Sequence, residues 1–136
     1  MLCLRRRPCC WLVAMVLLSA QWPARAADVA FPFGSELMLD TAPLYGSKRV
    51  PMMQIDENGT ASIDLWCASV RGAATVGETS ITIVAEPPAG AACTPERQTG
   101  DQDLLTALSQ VTSWRRDGDL IELMGPTSLR FRLMTN

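Results

Sequence analysis

The stretch TGDQDLLTALSQVTSWRRDGDLIELMGPTSLRFRL, residues 99–133, decides the fold of this chain. In its first part Leu104, Leu105, Leu108 and Val111 recur at helical spacing, which lays them along one stripe of a helix over 101–111. Thr99 or Asp101 caps the first turn in this reading, and Asp101 and Asp103 place negative charge at the positive end of the helix dipole. Asp117-Gly118 then supplies the positive φ of a tight hairpin turn, and Gly125-Pro126 ends the strand Leu120–Met124. In the closing strand Leu129, Phe131 and Leu133 alternate with Ser128, Arg130 and Arg132, so one face is buried and the other wet. Helix, hairpin and strand follow one another directly.

Upstream, the chain reads as strands that need that helix as a cover. Glu36–Asp40 is one, followed by a loop from Thr41 to Lys48 that holds Pro43 and Gly46. Val50–Asp56 and Thr60–Cys67 form a hairpin about Asn58-Gly59, and Val70–Val76 pairs with Ser80–Val84 about Gly77-Glu78. Strict alternation along Thr60–Cys67 puts Ala61, Ile63, Leu65 and Cys67 on the inner face. Ser62, Asp64 and Trp66 take the outer one. Trp66 is therefore either covered by the N-terminal lead or left as a contact patch. Glu86 to Gly100, with Pro87-Pro88 and Cys93, reads as a long loop.

The first 26 residues read as a signal peptide rather than as part of the fold. Arg5-Arg6-Arg7 is a positive n-region, Trp11–Leu18 a short apolar core, and Ala24-Arg25-Ala26 a small-x-small cleavage site. The apolar run is short for a membrane span. Gln21 stands where a lipoprotein would carry its acceptor cysteine, so a lipoprotein is not expected. Cleavage near Ala26 leaves a lead over 27–35, which Phe31-Pro32-Phe33 can anchor, and one domain over 36–136. The expected location is periplasmic or secreted. Loss of Arg5, Arg6, Arg7 and Arg25 leaves eight basic residues against 14 acidic ones, a net charge of −6. Nucleic acid and anionic membrane surfaces are poor partners for such a chain.

Two cysteines remain after cleavage, Cys67 and Cys93, and an exported pair is first read as a structural disulfide. Across 26 residues such a bond is worth about 3–4 kcal/mol in the chain-entropy model. A redox pair usually holds its cysteines two residues apart, and a zinc site needs two further Cys or His ligands.

Catalytic chemistry finds little footing. The chain has no histidine, which removes Ser-His-Asp and Cys-His arrangements. Lys48, in Gly46-Ser47-Lys48-Arg49, lacks the glycine spacing of a phosphate loop. The carboxylates Asp64 and Glu122 fall at outward strand positions and read as a solvated face. No catalytic residue, cofactor site or metal ligand is assigned, and the chain is read as a non-enzyme.

The order of these elements resembles the META domain, or HslJ-like, family of exported bacterial proteins. That family carries a Gly-Cys-Asn…Gly segment in mid-domain, a later small-residue-Cys segment, an acidic helix start and closing strands with Leu-x-Leu and Leu-x-Phe. The counterparts here are Trp66-Cys67-Ala68-Ser69-Val70-Arg71-Gly72, Ala91-Ala92-Cys93, the helix from Asp101, and the tail Leu120–Phe131. Trp66 replaces the glycine and Ala68 the asparagine. The resemblance implies an α+β, mainly β fold: a curved antiparallel sheet, a partly open barrel, packed against one helix. It also implies a factor in envelope stress or antibiotic tolerance that works through an envelope protein partner. The fold is similar to that of secretion pilotins, which implies the alternative of a carrier for a lipid or other hydrophobic ligand. Met38, Met52, Met53, Met124 and Met134 would suit that role, though they equally suit core filling. Fold likeness alone does not transfer that job.

Intact mass spectrometry of the exported protein is expected to give the mass of residues 27–136 less two hydrogens. A mass that retains the leader, or both free thiols, would contradict this reading.

Overall fold

The computed structural model describes residues 30–90 and 92–135; the expected signal peptide lies outside the described residues. The described elements are β1 (Leu37–Leu39), β2 (Met52–Ile55), β3 (Thr60–Asp64), β4 (Ser69–Val76), β5 (Ile81–Ala85), α1 (Pro95–Ser109), β6 (Ser113–Asp117), β7 (Leu120–Met124) and β8 (Leu129–Leu133). All strand pairs are antiparallel, in the order β5-β4-β3-β2-β1-β8-β7-β6. The described part of the chain is thus mainly β with one helix, as expected.

The sheet curls until its two outer strands nearly meet. Ser80 bridges Ser113, the Ile81 N–H donates to the Thr112 carbonyl at 3.1 Å, and the Trp114 N–H donates to Thr79 at 2.9 Å. The Trp114 indole Nε1 adds a bond to the Gly77 carbonyl at 2.9 Å. The barrel is closed at this seam by a few bonds rather than a full ladder. Helix α1 makes the crossing from β5 to β6, and this connection is what carries the chain from one edge of the sheet to the other.

The turns follow the sequence. Gly59 takes φ 83° in the β2–β3 hairpin, where its N–H donates to the Asp56 carbonyl at 2.9 Å. Gly118, at φ 59°, opens the two-residue loop between the paired Asp117 and Leu120. Leu37, Met53, Ile55, Ile63, Ile81, Ile83, Ile121, Leu123 and Phe131 point inward and fill the barrel, with Leu104 and Leu108 of α1 against them. Phe31 joins this core, so the described part of the lead is packed down rather than loose.

Two boundaries differ from the sequence reading. α1 begins at Pro95, six residues before Asp101, with Thr94 as an N-cap residue that makes no side-chain bond. Pro95 suits the first helical position because its missing N–H would have no intrahelical partner there. Asp101 and Asp103 are therefore not dipole-capping residues; Glu96 is the acidic residue of the first turn. The strand read as Thr60–Cys67 stops at Asp64, and Leu65–Ala68 form a tight connection in which the Leu65 N–H donates to Ala68 at 2.8 Å. Alternation ends there. Cys67 is half-buried in that turn instead of pointing inward along a strand.

Gly72 marks where β4 and β5 come too close for a side chain, since an added Cβ would sit 2.4 Å from the Val84 carbonyl oxygen. Gly72→Val is expected to destabilise by about 1–3 kcal/mol or more through overpacking. Gly90→Ala, where nothing lies within 4 Å, should change stability by less than about 0.5 kcal/mol. Urea denaturation of both variants checks the contrast, and equal midpoints would refute it.

Candidate functional site

Among the described residues Asp101 is the one buried charged side chain, with 3% of its surface exposed. It lies on the stripe of α1 that also carries Leu104 and Leu108, and so faces the sheet. Its carboxylate accepts the Cys67 N–H at 3.2 Å and the Ala68 N–H at 3.1 Å. Those donors belong to the β3–β4 turn, where no ladder partner is available to them. Burial pushes the Asp101 carboxyl above its ordinary 3.8, while bonds from the Ala68, Trp66 and Cys67 backbone and the charge of Arg49 pull it back.

The sequence-read residues gather around this carboxylate. Cys67 and Cys93 stand at bridging distance, Cα atoms 5.9 Å apart, within the range a disulfide spans. The bridge ties the β3–β4 turn to the segment just ahead of α1. Trp66 is half-buried, with α1 packed against it at Gly100. A Cβ at Gly100 would meet Trp66 Cε3 at 3.1 Å and Leu44 Cδ1 at 3.0 Å, so glycine sits mid-helix because the indole lies there. The Trp66 Nε1 is buried with no hydrogen-bond partner among the described residues. Beside the bridge is a cleft of about 250 Å³ lined by Cys67, Ala68, Pro88, Gly90, Gln98 and Asp101.

Asp101 as an acceptor for the turn was not anticipated from the sequence, where it served the helix start. One signal was present: Asp101, Leu104 and Leu108 share the i, i+3, i+7 spacing of the buried stripe. The carboxylates Asp64 and Glu122 are not brought together. They sit on β3 and β7, separated by β2, β1 and β8, and each pairs with an arginine. Arg49 reaches Asp64 at 3.3 Å and Arg115 binds Glu122. The Asp101 carboxylate is engaged in holding backbone donors of the β3–β4 turn. Among the described residues, no three His, Cys, Asp or Glu side chains cluster as metal ligands, and no helix is long and apolar enough to cross a membrane.

A family model described as the META domain matches residues 34–135, nearly all of the described chain. No curated protein and no solved structure matches the chain.

Asp101→Ala would strand the Cys67 and Ala68 N–H groups, at an expected cost of roughly 1–3 kcal/mol. The pH dependence has a definite sign. With its pKa raised on folding, Asp101 holds a proton more tightly in the folded chain. The stability this contributes is complete below 3.8 and is lost as pH rises through the folded value. Subtracting the Asp101→Ala profile from the wild-type profile, by urea denaturation across pH, should leave that falling segment. Parallel profiles would count against it.

Proposed function

The chain belongs to the META domain family, and on that footing we propose that it acts without catalysis, as an exported interaction factor of the cell envelope. In this reading the leader is removed near Ala26, the domain works in the periplasm or outside the cell, and its surface recognises an envelope protein. The outcome for the cell is tolerance of envelope stress or antibiotics.

The observation that supports surface recognition is the filled interior. Leu37, Met53, Ile63, Ile83, Leu108 and Phe131 each retain 2% exposure or less and occupy the space in which a carrier would hold a lipid tail. The methionines do not line such a space. Met53 is in the core, Met38, Met52 and Met124 are half-buried on the outside, and Met134 is 40% exposed. Recognition by a chain packed this way is a property of its outer faces and end loops.

Affinity capture after in-cell crosslinking, from cells under envelope stress, is expected to recover a protein partner, and deletion to lower tolerance. Native mass spectrometry is expected to show the bare chain. A lipid-sized adduct lost on denaturation, with no protein captured, would replace this reading with the carrier.

A further inference from the structure

We propose that the Cys67–Cys93 bridge is a redox latch, whose reduction by a dithiol frees the loop ahead of α1 while the barrel, α1 and the β3–β4 turn stay in place. The described residues of that loop are Pro87–Gly90 and Ala92–Cys93. The proposal goes beyond the interaction reading and does not depend on it.

The latch follows from how little else holds the loop. As the chain leaves β5, the Glu86 N–H donates to the Arg71 carbonyl at 2.7 Å, the last sheet bond on this side. The next backbone bonds lie within the helix start, from the Arg97 and Gln98 N–H groups to the Thr94 carbonyl at 3.1 Å. Pro87 and Pro88 have no N–H to offer. Among the described residues, no backbone bond ties the loop to the barrel between these two points. Of the described residues from Glu86 to Glu96, Cys93 alone is not exposed. The loop also stands off from the body, because the cleft of about 250 Å³ separates Pro88 and Gly90 from Cys67, Ala68, Gln98 and Asp101. The Gln98 amide donates to the Cys93 carbonyl at 3.4 Å, a bond from an exposed side chain. The bridge is what carries the load.

The turn at the other end of the bridge is held twice. The Asp101 carboxylate accepts its Cys67 and Ala68 N–H groups at 3.2 and 3.1 Å, and no reductant touches those bonds. α1 keeps its own contacts as well, with Leu104 and Leu108 in the core and Arg97 donating to the Gly46 carbonyl. Breaking the bridge therefore releases one side of it only. Release takes away the Pro88 and Gly90 wall of the cleft and uncovers Ala68 and Asp101 behind it.

Access and chemistry are both in place. Cys67 and Cys93 are half-buried instead of enclosed, and Cys67 lines the cleft, where a thiolate can approach. The thiolate of the dithiol attacks Cys67 Sγ and forms a mixed disulfide. The Cys67–Cys93 bond breaks, and Cys93 leaves as a thiolate that takes up a proton. The second thiol of the reagent then displaces Cys67, which is protonated in turn. Two electrons pass to the protein, and the dithiol ends as a disulfide.

The test treats the exported protein with dithiothreitol in the absence of denaturant and digests it with elastase, which cuts after small residues such as Ala89 and Ala92. Cleavage in the loop is expected to quicken by roughly tenfold or more, while the circular dichroism of the sheet is unchanged. Hydrogen exchange at the Cys67 and Ala68 amides is expected to stay slow. A Cys67→Ser/Cys93→Ser double variant should be cut at the fast rate without reductant. Oxidised Asp101→Asn should show the converse, with faster exchange at the turn and slow cleavage of the loop. Equal cleavage of the oxidised and reduced chains overturns the proposal, since the loop is then held by something else. A bridge that resists dithiothreitol until the chain is denatured overturns it too. So does reduction, or the double variant, that unfolds the barrel, because the bridge is then a staple of the whole fold. Fast cleavage in oxidised Asp101→Asn would assign the loop to the carboxylate and remove the latch.

Discussion

Helix α1 and the β3–β4 turn are joined by a buried carboxylate, and most of the chain's arrangement follows from that join. The turn cannot satisfy its own Cys67 and Ala68 N–H groups, and α1 has no reason of propensity to stop where it does against the sheet. Asp101 answers both, since one side chain supplies acceptors for the turn and fixes the rotation of the helix. With that rotation set, Leu104 and Leu108 point into the barrel and Gly100 meets the Trp66 ring. The Cys67–Cys93 bridge runs beside the same contact and restrains it covalently from the other end.

A carboxylate in such a place is an expense as well as a fastener. Desolvation disfavours its charge, and the backbone donors offset part of that penalty. Nearby, the Trp66 Nε1 and the Arg97 Nε are buried without partners, a further cost at this end of the molecule. Packing of α1 over the sheet has to outweigh these terms. It does so with residues that are apolar and fully enclosed, Leu108 and Leu65 among them.

The opposite end of the architecture is arranged differently. Where α1 delivers the chain to β6, closure is thin, and the aromatic residues Phe31, Phe33 and Trp114 fill the place of missing strand bonds. One region of the barrel is thus fastened by a charge, a covalent bridge and a helix, while the seam is finished by side chains and stays open to solvent. The filled interior and the open seam together favour recognition on the outside of the barrel, and this is the physical basis of the proposed role.

Strands, hairpin turns and the closing β7–β8 pair were legible in the residues because their cause is local. Alternation has a period of two wherever a strand has one wet face, and Gly59 and Gly118 adopt a positive φ that other residues resist. The pairing of Cys67 with Cys93 was readable by elimination, with two cysteines left after the expected leader. The extent of α1 was not, because Gly100 interrupts the helical pattern ahead of Asp101 until the Trp66 ring explains a glycine inside a helix, although Pro95 followed by Glu96, Arg97 and Gln98 is a helix-start composition. The end of β3 at Asp64 was hidden as well, since alternation in sequence continues to Cys67 while the backbone has already turned. Asp101 is the sharpest case. Its position on the helical stripe was visible, but the donors it serves lie 33 and 34 residues away and exist only once the turn is folded against the helix. Patterns set by one residue's neighbours are written in the chain, whereas partners that meet across the barrel depend on how the sheet closes.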